Sequence, residues 1–416
     1  MIRRSSPAGK AINLFFSPVL EHGGIETLIV RFSRWLVAQG ETVIIVTERK
    51  GSLVNGLDPR VILLEGGTET AIATTLRRQQ GPASDGREIR SFSFNSKTLI
   101  RQLVFHCRYA RDARLLSGVF HDCAYIPGKR LPGPATGINW AFDRILPDRA
   151  KWFMNGAVKR AHELRFSREF HDALVAPLPV TVPEGPARER QPKAFQVLSV
   201  GRLVPWKGYN LAMPQKIAEL RAAGFPVEWV VAGDGPARGG MIERVRALGV
   251  ENHVRFLGTV PYDQLSSLFL TAWAFVGVGT SLVEAAAAGV PAICSVASSG
   301  DSCYGLADEV PEPFCVGERV PGAPLRDLGA ELKRALELDE EDYRRISGRM
   351  IQYSQCFSVD AVGRALLNWM DSSSEGTNLV DCSLGRKRAL SLLKMYQDSF
   401  RPTVLRSIGI QENIRR

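Results

Sequence analysis

Hydrophobic and polar positions along the front of the chain follow the order strand, glycine loop, helix, strand. The apolar run from Ala11 to Phe16 predicts a buried strand. Apolar residues then recur at helical spacing from Ile25 to Leu36, and Gly40 follows where a helix-terminating glycine is expected. The β-branched run from Thr42 to Thr47 predicts a second buried strand. This order predicts a parallel sheet with helices on both faces.

The same alternation begins again at Phe195 and continues to about residue 370. The segment from Pro177 to Arg190 contains four prolines, which is typical of a linker. We therefore predict two Rossmann-like, doubly wound α/β domains that face each other across a cleft, with ligands at the carboxyl ends of the strands. The predicted boundaries are 1–182 for the N-terminal domain, 183–194 for the linker, 195–371 for the C-terminal domain and 372–416 for a basic tail.

Three segments between these runs lead to less regular predictions. Leu103 to His106 resembles a short strand end, and Lys151 to Arg165 predicts a helix that mixes aromatic and basic residues. That mixture fits either a helix lying on a membrane surface or an ordinary docked helix. The uncharged stretch from Gln264 to Val283 changes period inside its length, so we predict a short helix and a buried strand rather than a membrane span.

Composition limits the function classes. The chain has 416 residues, and its hydrophobic share of 45% is ordinary for a globular protein. Its seven cysteines form no C-x-x-C pair, which argues against a disulfide framework and favours a reducing, cytoplasmic location. The net charge is +10: residues 1–190 carry +10, residues 191–371 carry −4 and residues 372–416 carry +4. No nucleic-acid-binding signature accompanies this charge, so we expect a phosphorylated ligand or an anionic membrane surface instead.

The first motif that indicates chemistry is V-G-R-L-V-P-W-K-G, from Val200 to Gly208. Here a strand ends, Arg202 emerges, and Lys207 follows just before a helix. An arginine fork beside a lysine point charge suits a diphosphate, and we expect both to face the cleft. The alternative is two surface cations on a loop.

The second motif runs from Val276 to Pro291, where a strand enters a glycine turn and then an alanine-rich helix. Gly279 allows close approach of a ligand, and the amides of Thr280 and Ser281 lie at the predicted helix N-terminus, which favours an anion. Glu284 lies one turn further on and interrupts an apolar run. It is either a ribose-binding carboxylate or an exposed first-turn glutamate.

The order of these motifs resembles that of family-4 retaining glycosyltransferases of the GT-B fold. The resemblance also includes three further segments: H-G-G-I-E-T-L-I-V near the start of the chain, V-A-G-D-G-P and V-R-F-L-G-T-V. The resemblance spans roughly residues 11–50 and 195–296, with weaker similarity to about 370. It implies that Arg202 and Lys207 hold the diphosphate and stabilise the leaving nucleotide, and that Glu284 binds the ribose. It also implies that a backbone segment meets the phosphate and donor sugar: Gly279, Thr280 and Ser281.

The resemblance extends to four positions outside those two motifs. Gly23 and Gly24 match the family's N-terminal loop that faces the donor phosphates. Val260 falls where the family's chain touches the base, and His121 resembles the histidine near the reacting sugar. From the residues alone, a lone histidine is more often structural, and the same applies to His106.

Two departures from the family pattern affect the expected chemistry. The first glutamate of the family's E-x7-E motif falls at Val276, so half of that motif is missing, and either another residue serves or the donor differs. No D-x-D triplet occurs, so we predict no metal site and no cofactor beyond the nucleotide-sugar donor.

The expected activity is metal-independent, retaining transfer of a sugar from a UDP- or GDP-sugar to an acceptor hydroxyl, in polysaccharide or lipid-linked glycan synthesis. The basic N-terminal half is expected to bind the acceptor, through Arg101, Arg108, Arg111, Arg114, Lys129 and Arg130, with the protein peripheral on the inner face of the membrane. Two alternatives remain: a nucleotide-sugar epimerase or hydrolase on the same fold, and a non-catalytic partner subunit.

Overall fold

The structure, a computed structural model, describes residues 11–21, 23–80, 87–125, 138–182, 192–193 and 195–372. The described residues form two compact units. The first runs to Pro179 and resumes at Val362, and the second runs from Val180 to Ala361. Each unit has one seven-stranded sheet. The prediction of two doubly wound α/β units is therefore confirmed.

The first unit is built on a sheet of parallel strands. Its strands are β1 (Ile12–Val19), β2 (Thr42–Arg49), β3 (Ile62–Glu65), β4 (Ile89–Ser93), β5 (Arg114–Val119), β6 (Lys151–Phe153) and β7 (Leu174–Val175). They lie in the order β3-β2-β1-β4-β5-β6-β7. Its helices are α1 (Gly24–Ala38), α2 (Glu69–Gln80), α3 (Ser96–Tyr109) and α4 (Gly156–Phe166). The strand order reverses between β1 and β4, which makes their carboxyl ends a switch point of the sheet.

Aromatic packing anchors the centre of this sheet. Phe15 of β1 stacks on Phe92 of β4 with ring centroids 4.8 Å apart, and Phe32 of α1 meets both rings edge-on. All three side chains are fully buried. Burial of an aromatic side chain stabilises a core by roughly 1.5–3 kcal/mol, so this cluster fixes α1 against the sheet.

The second unit repeats the arrangement with two antiparallel strands at one edge. Its strands are β8 (Gln196–Val200), β9 (Glu228–Ala232), β10 (Val254–Gly258), β11 (Ala274–Gly277), β12 (Ala292–Ser295), β13 (Ser302–Leu306) and β14 (Arg326–Asp327). They lie in the order β10-β9-β8-β11-β12-β13-β14, and β13 and β14 are antiparallel to their neighbours. Its helices are α5 (Tyr209–Ala222), α6 (Arg238–Ala247), α7 (Tyr262–Thr271), α8 (Thr280–Ala287), α9 (Leu328–Leu336) and α10 (Glu340–Ser354). The switch point of this sheet lies between β8 and β11.

The last helix, α11 (Val359–Asp371), begins in the second unit and ends in the first. Asp371 forms an ion pair with Arg90, at 2.9 Å, and the Trp369 indole donates to the Arg149 carbonyl at 2.9 Å. The Arg149 guanidinium also covers the Trp369 ring at 5.1 Å. These contacts place the helix end with the first unit, whereas the sequence analysis grouped residues up to 371 with the C-terminal domain. Contacts between segments this distant in sequence cannot be predicted from a local sequence pattern.

The predicted strand end at Leu103 to His106 is wrong. These residues lie inside α3, which begins with a capping box between Asn95 and Thr98. The helix is buried from Thr98 to Cys107 apart from Arg101, so its run of consecutive apolar residues resembles a buried strand.

The helix predicted from Lys151 to Arg165 is wrong in its first five residues, and the remainder is α4. Lys151 to Phe153 form β6, and Trp152 and Phe153 are fully buried. Lys151 is buried as well, and its Nζ donates to the Leu146 carbonyl at 2.7 Å and to Asp148 at 2.6 Å. The helix begins only at Gly156, after the Asn155 side chain accepts from the Val158 amide.

Two of the arginines assigned to the acceptor have structural partners instead. Arg101 is largely buried, donates to the Gly67 carbonyl and lies over the Phe16 ring at 5.9 Å. Arg114 pairs with Glu88 at 2.6 Å and with Asp371 at 3.3 Å. Lys129, Arg130, most of the linker (183–191 and 194) and the tail from 373 to 416 lie outside the described residues.

The uncharged stretch from Gln264 to Val283 has the predicted form. It contains most of α7, the buried strand β11 and the start of α8. Across the described ranges of the chain, no helix is both long and apolar enough to cross a membrane.

His106 is the buried residue that most directly couples the stability of the first unit to pH. It is 1% exposed, and neither ring nitrogen has a hydrogen-bond partner among the described residues. Burial lowers the pKa of His106 to about 3. The unfolded chain takes up a proton near pH 6.5 and the folded chain does not, so the free energy of unfolding falls as pH falls through this window.

We expect His106→Leu to remove this acid sensitivity. The free energy of unfolding of the variant, relative to that of the wild type, should be about 2 kcal/mol higher at pH 5 than at pH 7.5. The reason is that the variant lacks the one side chain that takes up a proton on unfolding in this range. Urea unfolding at both pH values measures the difference, and His171→Gln, at an exposed histidine, is the control. If the free energies of unfolding of the variant and the wild type differ by the same amount at both pH values, His106 is not the source of the acid sensitivity.

Candidate functional site

The loop after β8 is held in place by a glycine turn after β9. The Leu203 amide donates to the Asp234 carbonyl at 2.9 Å, and the Gly201 amide donates to the Ala232 carbonyl at 2.9 Å. A Cβ on Gly233 would lie 2.0 Å from the Gly201 carbonyl oxygen, so only glycine fits there. Gly201 itself has φ +137°, a conformation that favours glycine. The loop therefore leaves the carboxyl end of β8 in one defined direction.

Arg202 and Lys207 are two positive charges on this loop. Arg202 is exposed and Lys207 is partly buried. In the described part of the chain, neither side chain forms an ion pair with a carboxylate. The Nζ of Lys207 lies 2.7 Å from where a Cβ on Gly201 would be, so the lysine folds back over the strand end. Burial, and then the positive charge of Arg202, lower the pKa of Lys207 to about 8. Two neighbouring cations without a carboxylate partner, one of them partly buried, favour a bound anion.

The turn between β11 and α8 lies on the neighbouring strand. β8 and β11 pair directly, and the Ser281 hydroxyl donates to the Val200 carbonyl at 2.9 Å. Gly279 has φ +80°, and no atom lies within 4 Å of where its Cβ would be. Among the described residues, the amides of Thr280 and Ser281 reach no acceptor, as expected for the first turn of a helix. The structure thus places Ser281 beside the strand end from which Arg202 emerges.

Glu284 follows one turn later on α8 and is partly buried. Its Oε1 accepts a hydrogen bond from the Tyr262 hydroxyl at 3.3 Å. Tyr262 begins α7, two residues after the predicted base-contacting residue Val260, which is partly exposed beyond the end of β10. Sequence analysis did not identify Tyr262, because the contact joins positions 22 residues apart.

Val276, where the resemblance expects the first glutamate, is a fully buried residue of β11. Its carbonyl accepts from the Ser199 hydroxyl at 2.8 Å. Only Val278 and Gly279 separate β11 from α8, and neither is acidic. The β11–α8 connection therefore offers no carboxylate.

The remaining predicted residues belong to the first unit. Gly23 and Gly24 lie at the start of α1, and a Cβ on Gly23 would lie 2.2 Å from Oε2 of Glu26. The Thr27 hydroxyl also donates to the Gly23 carbonyl, at 2.7 Å. A carboxylate thus lies beside this helix N-terminus, where it stabilises the helix dipole. The predicted contact of these glycines with donor phosphates stays a prediction.

His121 is exposed in the turn that follows β5. Its carbonyl accepts from the Ala124 amide at 3.1 Å, and the Ala124 carbonyl lies 2.5 Å from Nε2 of His162. Tyr125 stacks on Phe142 with centroids 4.2 Å apart. The turn is therefore well anchored. His106 is buried in α3, and His22 lies outside the described residues.

Seven of the ten predicted site residues thus lie in the second unit, at or beyond the carboxyl ends of its strands, and three lie in the first. Ser281 and the Arg202–Lys207 loop meet at the switch point between β8 and β11. Glu284 and the segment after Val260 are joined through Tyr262. Chemically, this arrangement offers cationic and amide donors for an anion and a carboxylate acceptor for hydroxyl groups.

The known proteins to which this chain is similar are glycosyltransferases. Residues 185–304 match the family model described as "Glycosyl transferases group 1". The 2-deoxystreptamine glucosyltransferase of Streptomyces kanamyceticus is 33% identical over 144 residues, covering 33% of this chain and 35% of that protein. The phosphatidylinositol N-acetylglucosaminyltransferase GPI3 subunit of Saccharomyces cerevisiae is 30% identical over 108 residues, covering 24% of each. The chain thus spans about a third or less of the length of these relatives.

Solved structures resemble the chain over most of its length. A glycosyltransferase from Rickettsia africae superposes with a TM-score of 0.64 at 14% identity, covering 88% of this chain and 100% of that one. Anabaena HepE, solved in complex with UDP and glucose, has a TM-score of 0.59 at 16% identity, covering 87% and 100%. At these identities the likeness concerns the fold, and it confirms the predicted GT-B class.

We expect anion binding at this site to depend on the protonation of Lys207. Because the pKa of Lys207 is about 8 in the free protein, affinity for a nucleoside diphosphate should be full below that pH. Above it, affinity should weaken by about tenfold per pH unit, since binding then requires uptake of one proton. Calorimetric titration between pH 7.5 and pH 9.5 measures the dependence.

Lys207→Arg is the matched control for this pH profile, because arginine stays charged throughout the range. Its affinity should be flat between pH 7.5 and pH 9.5, whatever its absolute value. A flat profile for the wild type, with binding intact, would contradict a role for Lys207.

Proposed function

We propose that the protein is a glycosyltransferase, and the match of residues 185–304 to the glycosyl transferases group 1 model supports this. It transfers a sugar from a UDP- or GDP-linked donor to an acceptor hydroxyl. The observation that carries this proposal is the cation pair of Arg202 and Lys207, without a carboxylate partner among the described residues, at the switch point of the second sheet. A doubly wound sheet binds its ligand at this point.

The proposed chemistry is stabilisation of the leaving nucleoside diphosphate. Breaking the bond between the anomeric carbon and the phosphate oxygen places negative charge on the diphosphate. Arg202 and Lys207 oppose that charge, and the amides of Thr280 and Ser281 at the start of α8 add donors fixed by the turn. Groups that are oriented before the reaction need no rearrangement as charge develops, and this stabilises the transition state.

The remaining site residues bind the rest of the donor in this proposal. Glu284 accepts hydrogen bonds from the ribose hydroxyls, Val260 contacts the base, and the open space at Gly279 admits the sugar and phosphate. With two protein cations at the diphosphate, the transfer does not require a metal. We propose retention of anomeric configuration, which the resemblance implies. Since the β11–α8 connection carries no carboxylate nucleophile, the proposed route is attack on the same face as departure rather than a covalent glycosyl-enzyme intermediate.

The acceptor in this proposal is a lipid-linked or polysaccharide intermediate, bound by the first unit with His121 near the reacting sugar. The net charge of +10 over residues 1–190 supports an anionic acceptor or membrane surface. Arg108 and Arg111 remain candidates for this contact, since Arg111 is exposed and Arg108 partly so. One curated relative is named for transfer to phosphatidylinositol, which also supports a lipid acceptor.

A second candidate function is a non-catalytic partner subunit. The observation that favours it is Val276, a fully buried core residue at the position of a family glutamate. In this case the site would still bind the nucleotide but would not turn over the donor.

Donor turnover with and without acceptor separates the candidates. Thermal shift against UDP-, GDP- and ADP-sugars first identifies the donor, because a ligand that binds the native state raises the unfolding temperature. Incubation of that donor with glycan and lipid-linked acceptors should then release nucleotide only when an acceptor is present. Release without acceptor indicates a hydrolase, and binding without release under any condition indicates a partner subunit.

Arg202→Ala and Lys207→Ala should each lower kcat by about a hundredfold or more, because each removes a donor to the developing charge. Arg255→Ala is the matched control. Arg255 is an exposed arginine near the amino end of β10, whereas the site lies at the carboxyl ends of the parallel strands of this sheet. Steady-state rates of the three variants measure the effect. Unchanged kcat in both site variants would refute the leaving-group role.

A further inference from the structure

Tyr262 lies between two parts of the proposed nucleotide site that are distant in sequence. Its hydroxyl donates to Oε1 of Glu284 at 3.3 Å, and the residue is 44% exposed. It begins α7 directly after Pro261, and Val260 precedes that proline. The residue thus connects the segment after β10 with α8.

The backbone of Glu284 is fixed by its neighbours, whereas its side chain needs orientation. Leu282, Val283 and the alanines from Ala285 to Ala287 are buried, so the helix position is set by core packing. A glutamate side chain retains several rotamers, and ordering it costs roughly 1.5–2 kcal/mol of conformational entropy. A hydrogen bond from a tyrosine hydroxyl favours one of these rotamers before any ligand arrives.

We propose that Tyr262 is a positioning residue that orients the Glu284 carboxylate toward the ribose diol of the donor nucleotide, an inference that rests on the proposed function. In this arrangement Tyr262 determines selectivity for a ribonucleotide over its deoxy analogue. It acts through Glu284 and has no direct part in binding the diphosphate.

The test compares ligands that differ only in the ribose hydroxyls. Dissociation constants are measured by calorimetry for the nucleoside diphosphate that the wild type binds best, for its 2′,3′-dideoxy analogue and for inorganic pyrophosphate. Tyr262→Phe, which removes only the hydroxyl, should reduce the preference for the ribonucleotide over the dideoxynucleotide by about three- to tenfold, the usual value of one hydrogen bond. Affinity for pyrophosphate should not change.

A double-mutant comparison shows whether the tyrosine acts through the glutamate. Glu284→Gln should also reduce the preference, and Tyr262→Phe should add nothing further in that background. Tyr109→Phe, at a tyrosine that is 38% exposed in the first unit, is the matched control and should behave as wild type.

The outcomes separate this inference from the proposed function. If the wild type prefers the ribonucleotide and Tyr262→Phe leaves the preference unchanged, the positioning role is wrong and the proposed function stands. Equal loss of pyrophosphate affinity in Tyr262→Phe would show a general structural effect and would also overturn the role. If the wild type binds neither nucleoside diphosphate nor pyrophosphate, both proposals fail.

Discussion

Burial of the Lys207 charge beside a second positive charge is the constraint on which the candidate site depends. Arg202 and Lys207 share one loop, and the pKa of Lys207 is lowered to about 8 by burial and by the arginine. Folding holds this unfavourable arrangement in place, because backbone hydrogen bonds tie the loop to the turn after β9, where a Cβ on Gly233 would clash with the Gly201 carbonyl. A bound diphosphate relieves both the repulsion and the cost of burying the lysine, so the free energy that folding stores there returns on binding.

The short connection between β11 and α8 supplies hydrogen-bond donors to the proposed site but no carboxylate. It brings the start of α8 against β8, where the Ser281 hydroxyl reaches the Val200 carbonyl. Val276 lies inside the strand, and neither of the two residues that follow β11 before the helix, Val278 and Gly279, is acidic. The proposed site therefore combines donors suited to a diphosphate with a valine where the resembling family has a glutamate that acts on the donor sugar.

Much of this arrangement could be predicted from the sequence, because the relevant patterns are local. Apolar runs between glycine turns indicated both sheets, and the motif from Val200 to Gly208 placed Arg202 and Lys207 after a strand. Local patterns failed where burial was complete: the middle of α3 is apolar on nearly every side and resembled a strand. They also missed pairings distant in sequence, such as Tyr262 with Glu284 and Arg90 with Asp371. Such contacts follow from the order of strands in the sheet, which no window of residues contains.

The central claim is that the second unit binds a diphosphate at the carboxyl ends of β8 and β11. A crystal structure of the chain with its preferred nucleoside diphosphate tests this most directly. The account predicts the diphosphate within hydrogen-bonding distance of Arg202, Lys207 and the first amides of α8, with the ribose at Glu284. Density for the diphosphate at any other place, with those two side chains left without a ligand, would contradict it.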